Sequence, residues 1–143
     1  SATARDQVDW NPEFSRRARG FATYAAIREL GRDGIAALVE RCCRHAHALA
    51  TRIGTLTGAE LVWEPTLNQG LVRFPASGAA RTPEDDDRHT EATIAAIVRT
   101  GDAFFGPTTF RGRRCMRISV CNWRTSERDV DRAVDAVRTV LSA

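Results

Sequence analysis

Between residues 33 and 53, Ile35, Leu38, Val39, Cys42, Ala46, Leu49 and Ile53 recur at intervals of three and four, the period of one face of an α-helix. Upstream, Phe14, Ala18, Phe21 and Ala25 form a similar stripe behind Asn11-Pro12-Glu13, a helix-start signal with an acid in the first turn. The pattern predicts one helix from there to about Leu30 and a second from Asp33, an N-cap, to near Gly54, separated by the breaker Gly31. Leu30 and Ile27 fall on the far side of the first helix, which leaves it a second apolar face. The spacing then shortens. Ala59 to Glu64 and Leu67 to Phe74 read as paired strands, the latter interrupted by a turn at Asn68-Gln69-Gly70. Thr82-Pro83 and the acids Glu84 to Asp87 open a helix over about 84–100, with Ile94, Ile97 and Val98 as its stripe. Ala103 to Arg111 and Arg113 to Trp123 read as strands joined around Gly112, and Ser126 caps a last helix carrying Val130, Val134, Val137 and Leu141. The order is ααββαββα. It predicts an α/β (α+β) two-layer sandwich, with a mostly antiparallel sheet and the helices packed on one face.

At 143 residues and 15.8 kDa the chain has room for one domain. Its longest apolar runs, Ile35 to Val39 and Ile94 to Val98, are five residues each. A membrane span needs roughly 20, so none is expected. No segment has the order of a secretory signal, and a cytoplasmic location is expected. Every basic residue is Arg, and the absence of Lys excludes a Schiff base formed by this chain. The net charge of +3 is uneven: nine Arg against six acids in residues 1–57, four against eight in 58–110, and eight against four in 111–143. Cys42, Cys43, Cys115 and Cys121 show no CxxC spacing and read as reduced thiols. No metal site is expected: a zinc reading would use Cys43 and His47, one helical turn apart, with Cys42 and His45 beside them, but the helical stripe places Cys42 in the core and turns His47 outward. The acids Glu84 to Asp87 lack the Asp-x-Asp-x-Asp-Gly spacing of a calcium loop and read as a solvated helix start.

The segment Arg113 to Thr125 carries the most chemistry. Alternation sends Met116, Ile118 and Val120 toward the core, and Cys115, Arg117, Ser119 and Cys121 the other way. On that second face one Arg stands among small, weakly polar neighbours that leave space beside it. Such an Arg can offer two parallel hydrogen bonds to a carboxylate or phosphate. It can equally be an outer-strand Arg paired with an Asp, and the pattern alone leaves both readings open.

Three stretches together, Asp9 to Arg19, Ile27 to Ile35 and Met116 to Thr125, resemble the C-terminal region of the pyridoxal-phosphate-dependent group II amino-acid decarboxylases, of the aspartate-aminotransferase fold type. The resemblance implies that residues 13–143 are the small domain of such an enzyme, with 1–12 a linker from a large N-terminal domain. That domain would supply the cofactor-bearing Lys, so this chain would hold no catalytic and no cofactor-binding residue and would be inactive alone. It further implies that Arg117, five residues before Asn122, binds the carboxylate of an amino-acid substrate together with Asn122, and that the whole enzyme is a homodimer. Asn122-Trp123 departs from the family's frequent Asn-Pro, which leaves the substrate open. Arg16 and Arg17 match a basic pair of the family without an assigned role. The competing reading is a stand-alone α/β module that binds nucleic acid through Arg111, Arg113 and Arg114 with Arg16, Arg17 and Arg19; under the decarboxylase reading neither nucleic acid nor membrane is a partner.

Overall fold

A computed structural model describes residues 19–78 and 80–143. In chain order these form α1 (Gly20–Gly54), β1 (Glu60–Trp63), β2 (Gln69–Arg73), α2 (Pro83–Arg99), β3 (Gly106–Phe110), β4 (Arg113–Ser119) and α3 (Glu127–Leu141). The strands make one antiparallel sheet in the order β1-β2-β4-β3, with helices packed on it, as the alternating α and β pattern predicts.

The two helices expected at the start form a single element interrupted at Gly31, whose φ of 64° and ψ of −173° lie outside helical geometry. Glycine enters this region without a Cβ penalty, so the break falls where the sequence puts its breaker. The expected start of the first helix, with Phe14 and Ala18, lies outside the described residues. The chain divides into two compact units, Ser1–Ile35 and Ala36–Ala143. In the first, the described part of α1 exposes Phe21, Tyr24, Ile27 and Leu30.

The core of the second unit joins Cys42, Ala46, Leu49 and Ile53 of α1 to Val72, Phe74, Met116, Ile118 and Val120 of the sheet region, Ile94 and Ile97 of α2, and Val130, Val134 and Val137 of α3. Three positions differ from the helical stripe read in the sequence. Val39 is half exposed, and His45 and Ala50 are buried.

The turn between the first two strands also sits elsewhere than expected. Residues 64–68 make the connection, while Gln69 and Gly70 are already in β2. Packing is the reason: a Cβ at Gly70 would lie 2.7 Å from Pro65 Cγ and 3.0 Å from Ala50 Cβ, so this glycine lets the strand pass close to α1 rather than turn. Arg111 and Gly112, at φ 49° and 76°, supply the two left-handed residues of a tight hairpin between β3 and β4. The fourth strand ends at Ser119, short of the expected Trp123.

Both later helices begin with reciprocal caps. Thr82 Oγ1 accepts from the Asp85 N–H while Asp85 accepts from the Thr82 N–H, and Ser126 and Asp129 repeat the arrangement. The acid run is therefore more than a solvated helix start. Asp86 is buried, accepts from Arg73 Nη2 at 3.0 Å and from the Ala76 N–H at 2.9 Å, and Asp87 accepts from the Arg114 N–H at 2.8 Å.

Candidate functional site

β4 runs through the interior of the sheet, where period-two geometry turns Met116 and Ile118 into the core and Arg117 to the opposite face. On that face Arg117 stands across from Leu71 on β2, which in turn stands across from Trp63 on β1. On its other side the register partner is Gly106 of β3, which has no side chain, so space opens beside the guanidinium. Trp63 and Phe110, from the two edge strands, meet in an edge-to-face contact with centroids 5.9 Å apart and planes at 65°. Arg117, Leu71, Trp63, Phe110 and the connection around Leu67 line a cavity of about 580 Å³, a size in the usual range for small-molecule sites.

The electrostatics of this cavity are one-sided. Among the described residues Arg117 has neither an ion-pair partner nor a side-chain hydrogen bond, and no Asp or Glu lines the cavity. Two residues along the same face of β2 the situation is reversed: Arg73 is buried and held by Asp86. Of the four arginines in the sheet, Arg73 and Arg114 are thus ion-paired, while Arg113 and Arg117 have no ion-pair partner among the described residues. Arg117 is exposed, and Thr66, Asn68, Gln69, Thr108 and Thr109 line the cavity beside its apolar residues; a free planar fork there matches a carboxylate or phosphate with two parallel hydrogen bonds. The outer-strand pairing left open by the pattern is not what the structure shows.

The other residues singled out in the sequence distribute as follows. Ser119 and Cys121 are exposed on the Arg117 side, whereas Cys115 on that side is fully buried, and burial above all pushes its thiol up from the usual range. Asn122 does not line the cavity. Its side-chain oxygen accepts from the Arg124 N–H at 3.0 Å and its carbonyl from the Thr125 N–H at 3.1 Å, which turns the chain from β4 toward α3. Cys42 is in the core and His47 is exposed, 3.6 Å from Glu64. Of the proposed polyanion cluster, Arg111 lies over the Phe110 ring and Arg114 is held by Glu91 at 2.6 Å; Arg113 and Arg19 are exposed, while Arg16 and Arg17 lie outside the described residues. Trp63 and Phe110 are cavity-lining side chains that the sequence reading missed. They come from opposite edges of the sheet, and only the strand order brings them together.

No residue here can carry pyridoxal phosphate covalently, because the chain has no lysine.

No protein-family model matches the chain. It is 30% identical over 136 residues to the L-2,4-diaminobutyrate decarboxylase of Rhizobium meliloti (strain 1021), covering 95% of this chain and 27% of that protein. It is 27% identical over 140 residues to the histidine decarboxylase of Rattus norvegicus, covering 96% of this chain and 20% of that one. Among solved structures, that of Oryza sativa TDC with PLP and tryptamine shares the fold, with a TM-score of 0.79 at 22% identity over 96% of this chain and 29% of that chain. The chain thus spans about a quarter of the length of the relatives it matches. No helix among the described residues is long and apolar enough to cross a membrane. The homologues of this chain are group II pyridoxal-phosphate-dependent decarboxylases, and the portion it matches, about a quarter of their length, is consistent with a C-terminal domain.

Proposed function

We propose that this chain is the substrate-carboxylate-binding small domain of a pyridoxal-phosphate-dependent amino-acid decarboxylase. Residues 13–143 are the domain, 1–12 lead to it from a large N-terminal domain that bears the cofactor, and the whole enzyme works as a cytoplasmic homodimer on an amino acid. The observation that carries this reading is the free guanidinium of Arg117 beside a cavity with no acid of its own.

The part played by this chain follows from its side chains. Arg117 accepts the substrate carboxylate on its fork, each charge-assisted hydrogen bond contributing about 1.5–3 kcal/mol. Arg117 is exposed in this chain, and Trp63, Leu71 and Phe110 flank the pair and fix its direction. Asn122 acts on the site through the turn it closes after β4. Pyridoxal phosphate, when bound to such an enzyme, supplies the electron sink for loss of carbon dioxide, and this domain contributes substrate orientation.

Side-chain NMR of the chain tests the reading. Titration with propanoate is expected to shift the Arg117 Nε–H resonance, with no effect from propylamine, and Arg117→Lys is expected to abolish saturable binding because one ammonium cannot reproduce the fork. An Arg117 signal that ignores carboxylates contradicts the proposal.

A further inference from the structure

Asn68 borders the same cavity as Arg117 and is tied to a single residue just beyond the end of β4. Its main-chain carbonyl accepts from the Val120 N–H at 3.0 Å, and its side-chain Nδ2 donates to the Val120 carbonyl at 3.0 Å. A carbonyl only accepts, so the amide nitrogen must face Val120, which fixes the plane of the side chain. The NH2 group carries a second hydrogen, whose direction is set by the first. Among the described residues neither that hydrogen nor Oδ1 has a partner. The other polar side chains of the wall differ. Thr109 Oγ1 already accepts from Arg114 Nη1 at 3.0 Å, and the exposed Gln69 reaches Ser119 Oγ at 3.4 Å. Thr66 and Thr108 offer hydroxyls, which rotate about the C–O bond and have no set direction. Asn68 is half-buried and held.

We infer that Asn68 is a second carboxylate-binding residue of this site, its spare N–H donating to a ligand carboxylate held on the Arg117 fork. A carboxylate offers about four acceptor positions and a guanidinium fork fills two, so an oxygen remains for a third donor. A donor already fixed in direction by Val120 adds that bond without first losing side-chain freedom. The inference rests on the carboxylate-binding role of Arg117 and adds to it a residue from the connection that precedes β2. It places the amide partner on Asn68 instead of on Asn122, which does not line the cavity.

The test is an NMR titration of the whole chain with propanoate, following the Arg117 Nε–H and the two side-chain amide protons of Asn68, which resonate separately. Expected is a shift of the Asn68 proton that does not face Val120, on the same saturation curve as Arg117, while its twin on Val120 moves little. Propylamine is expected to move none of them. Asn68→Ala is expected to weaken propanoate binding about tenfold, the loss of one charge-assisted hydrogen bond. Thr82→Ala, which removes a helix cap away from the cavity, is the control for a purely structural effect: it is expected to lower stability and leave propanoate affinity unchanged. Saturation of Arg117 with both Asn68 protons unmoved overturns the role of Asn68 and leaves that of Arg117 standing. Equal movement of both protons, the sign of a shift of the whole connection, overturns it as well. So does an Asn68→Ala variant that binds as the parent does; if that variant does not fold, the titration of the parent decides alone. An Arg117 signal that ignores propanoate removes the role on which the inference rests.

Discussion

Arg73 donates to Asp86 Oδ2 at 3.0 Å within the protein, two residues along β2 from the Leu71 that faces the unpaired Arg117. Both partners are largely withdrawn from water, with side chains 7% and 12% exposed. Removing one charge of such a pair strands the other, and the loss is about 3–5 kcal/mol. Asp86→Asn also keeps the side-chain volume, so urea unfolding should report that loss as electrostatic. A variant within a few tenths of the parent contradicts a buried, mutually dependent pair.

Gly70 makes a second, steric prediction. Its missing Cβ leaves room for Pro65 and for Ala50 of α1, so Gly70→Ala should cost about 1–3 kcal/mol through overpacking, in spite of the higher intrinsic preference of Ala for regular structure. Thermal unfolding of the variant measures this. An unchanged midpoint would mean that strand and helix are less closely opposed than described.

The capping boxes predict acid sensitivity. Asp85 is held below the usual carboxylate range chiefly by the Thr82 N–H, and Asp129 chiefly by the Ser126 hydroxyl. Each therefore titrates lower in the folded state than in the unfolded one, where an Asp lies at about 3.9. The stability they add is complete above that value and is lost as pH falls through the lowered folded values. Asp85→Asn with Asp129→Asn should flatten the stability curve below about pH 4, and Thr82→Ala or Ser126→Ala should each lose about 1 kcal/mol at neutral pH. Urea midpoints against pH check both, and a double variant with the parent's acid slope contradicts the assignment.

The four thiols should separate by environment. Cys121 is exposed, while Cys115 and Cys42 are buried and the Cys115 thiol is pushed up by burial. Since the thiolate is the reactive form, alkylation of the native chain should label Cys121 first and reach Cys115 only on unfolding. Mass spectrometry of labelled peptides gives the order; Cys115 reacting at the rate of Cys121 would contradict its burial.

The sequence made some of this legible and hid the rest for physical reasons. Alternation in Met116 to Val120 places Arg117 outward because the pleat has period two, and Thr82 and Ser126 mark helix starts because their hydroxyls fit the first turn. The turn near Gly70 was misplaced because local signals read a glycine as a bend, whereas here it answers a contact with Ala50, twenty residues earlier. Asp86 was read as solvated because its partner, Arg73, lies on a strand that the helix meets only in three dimensions. The Trp63–Phe110 contact was hidden in the same way, since its two rings belong to opposite edges of the sheet.

The central claim is that Arg117 binds the carboxylate of the substrate. The most direct measurement is a comparison of Arg117→Lys with the parent in the complete decarboxylase, reading kcat/KM for the amino acid beside the inhibition constant of its amine product, which has no carboxylate. Loss of one charge-assisted hydrogen bond predicts a fall in kcat/KM of about 10- to 100-fold with amine inhibition unchanged. Equal losses for amino acid and amine, or no loss for either, would contradict the claim.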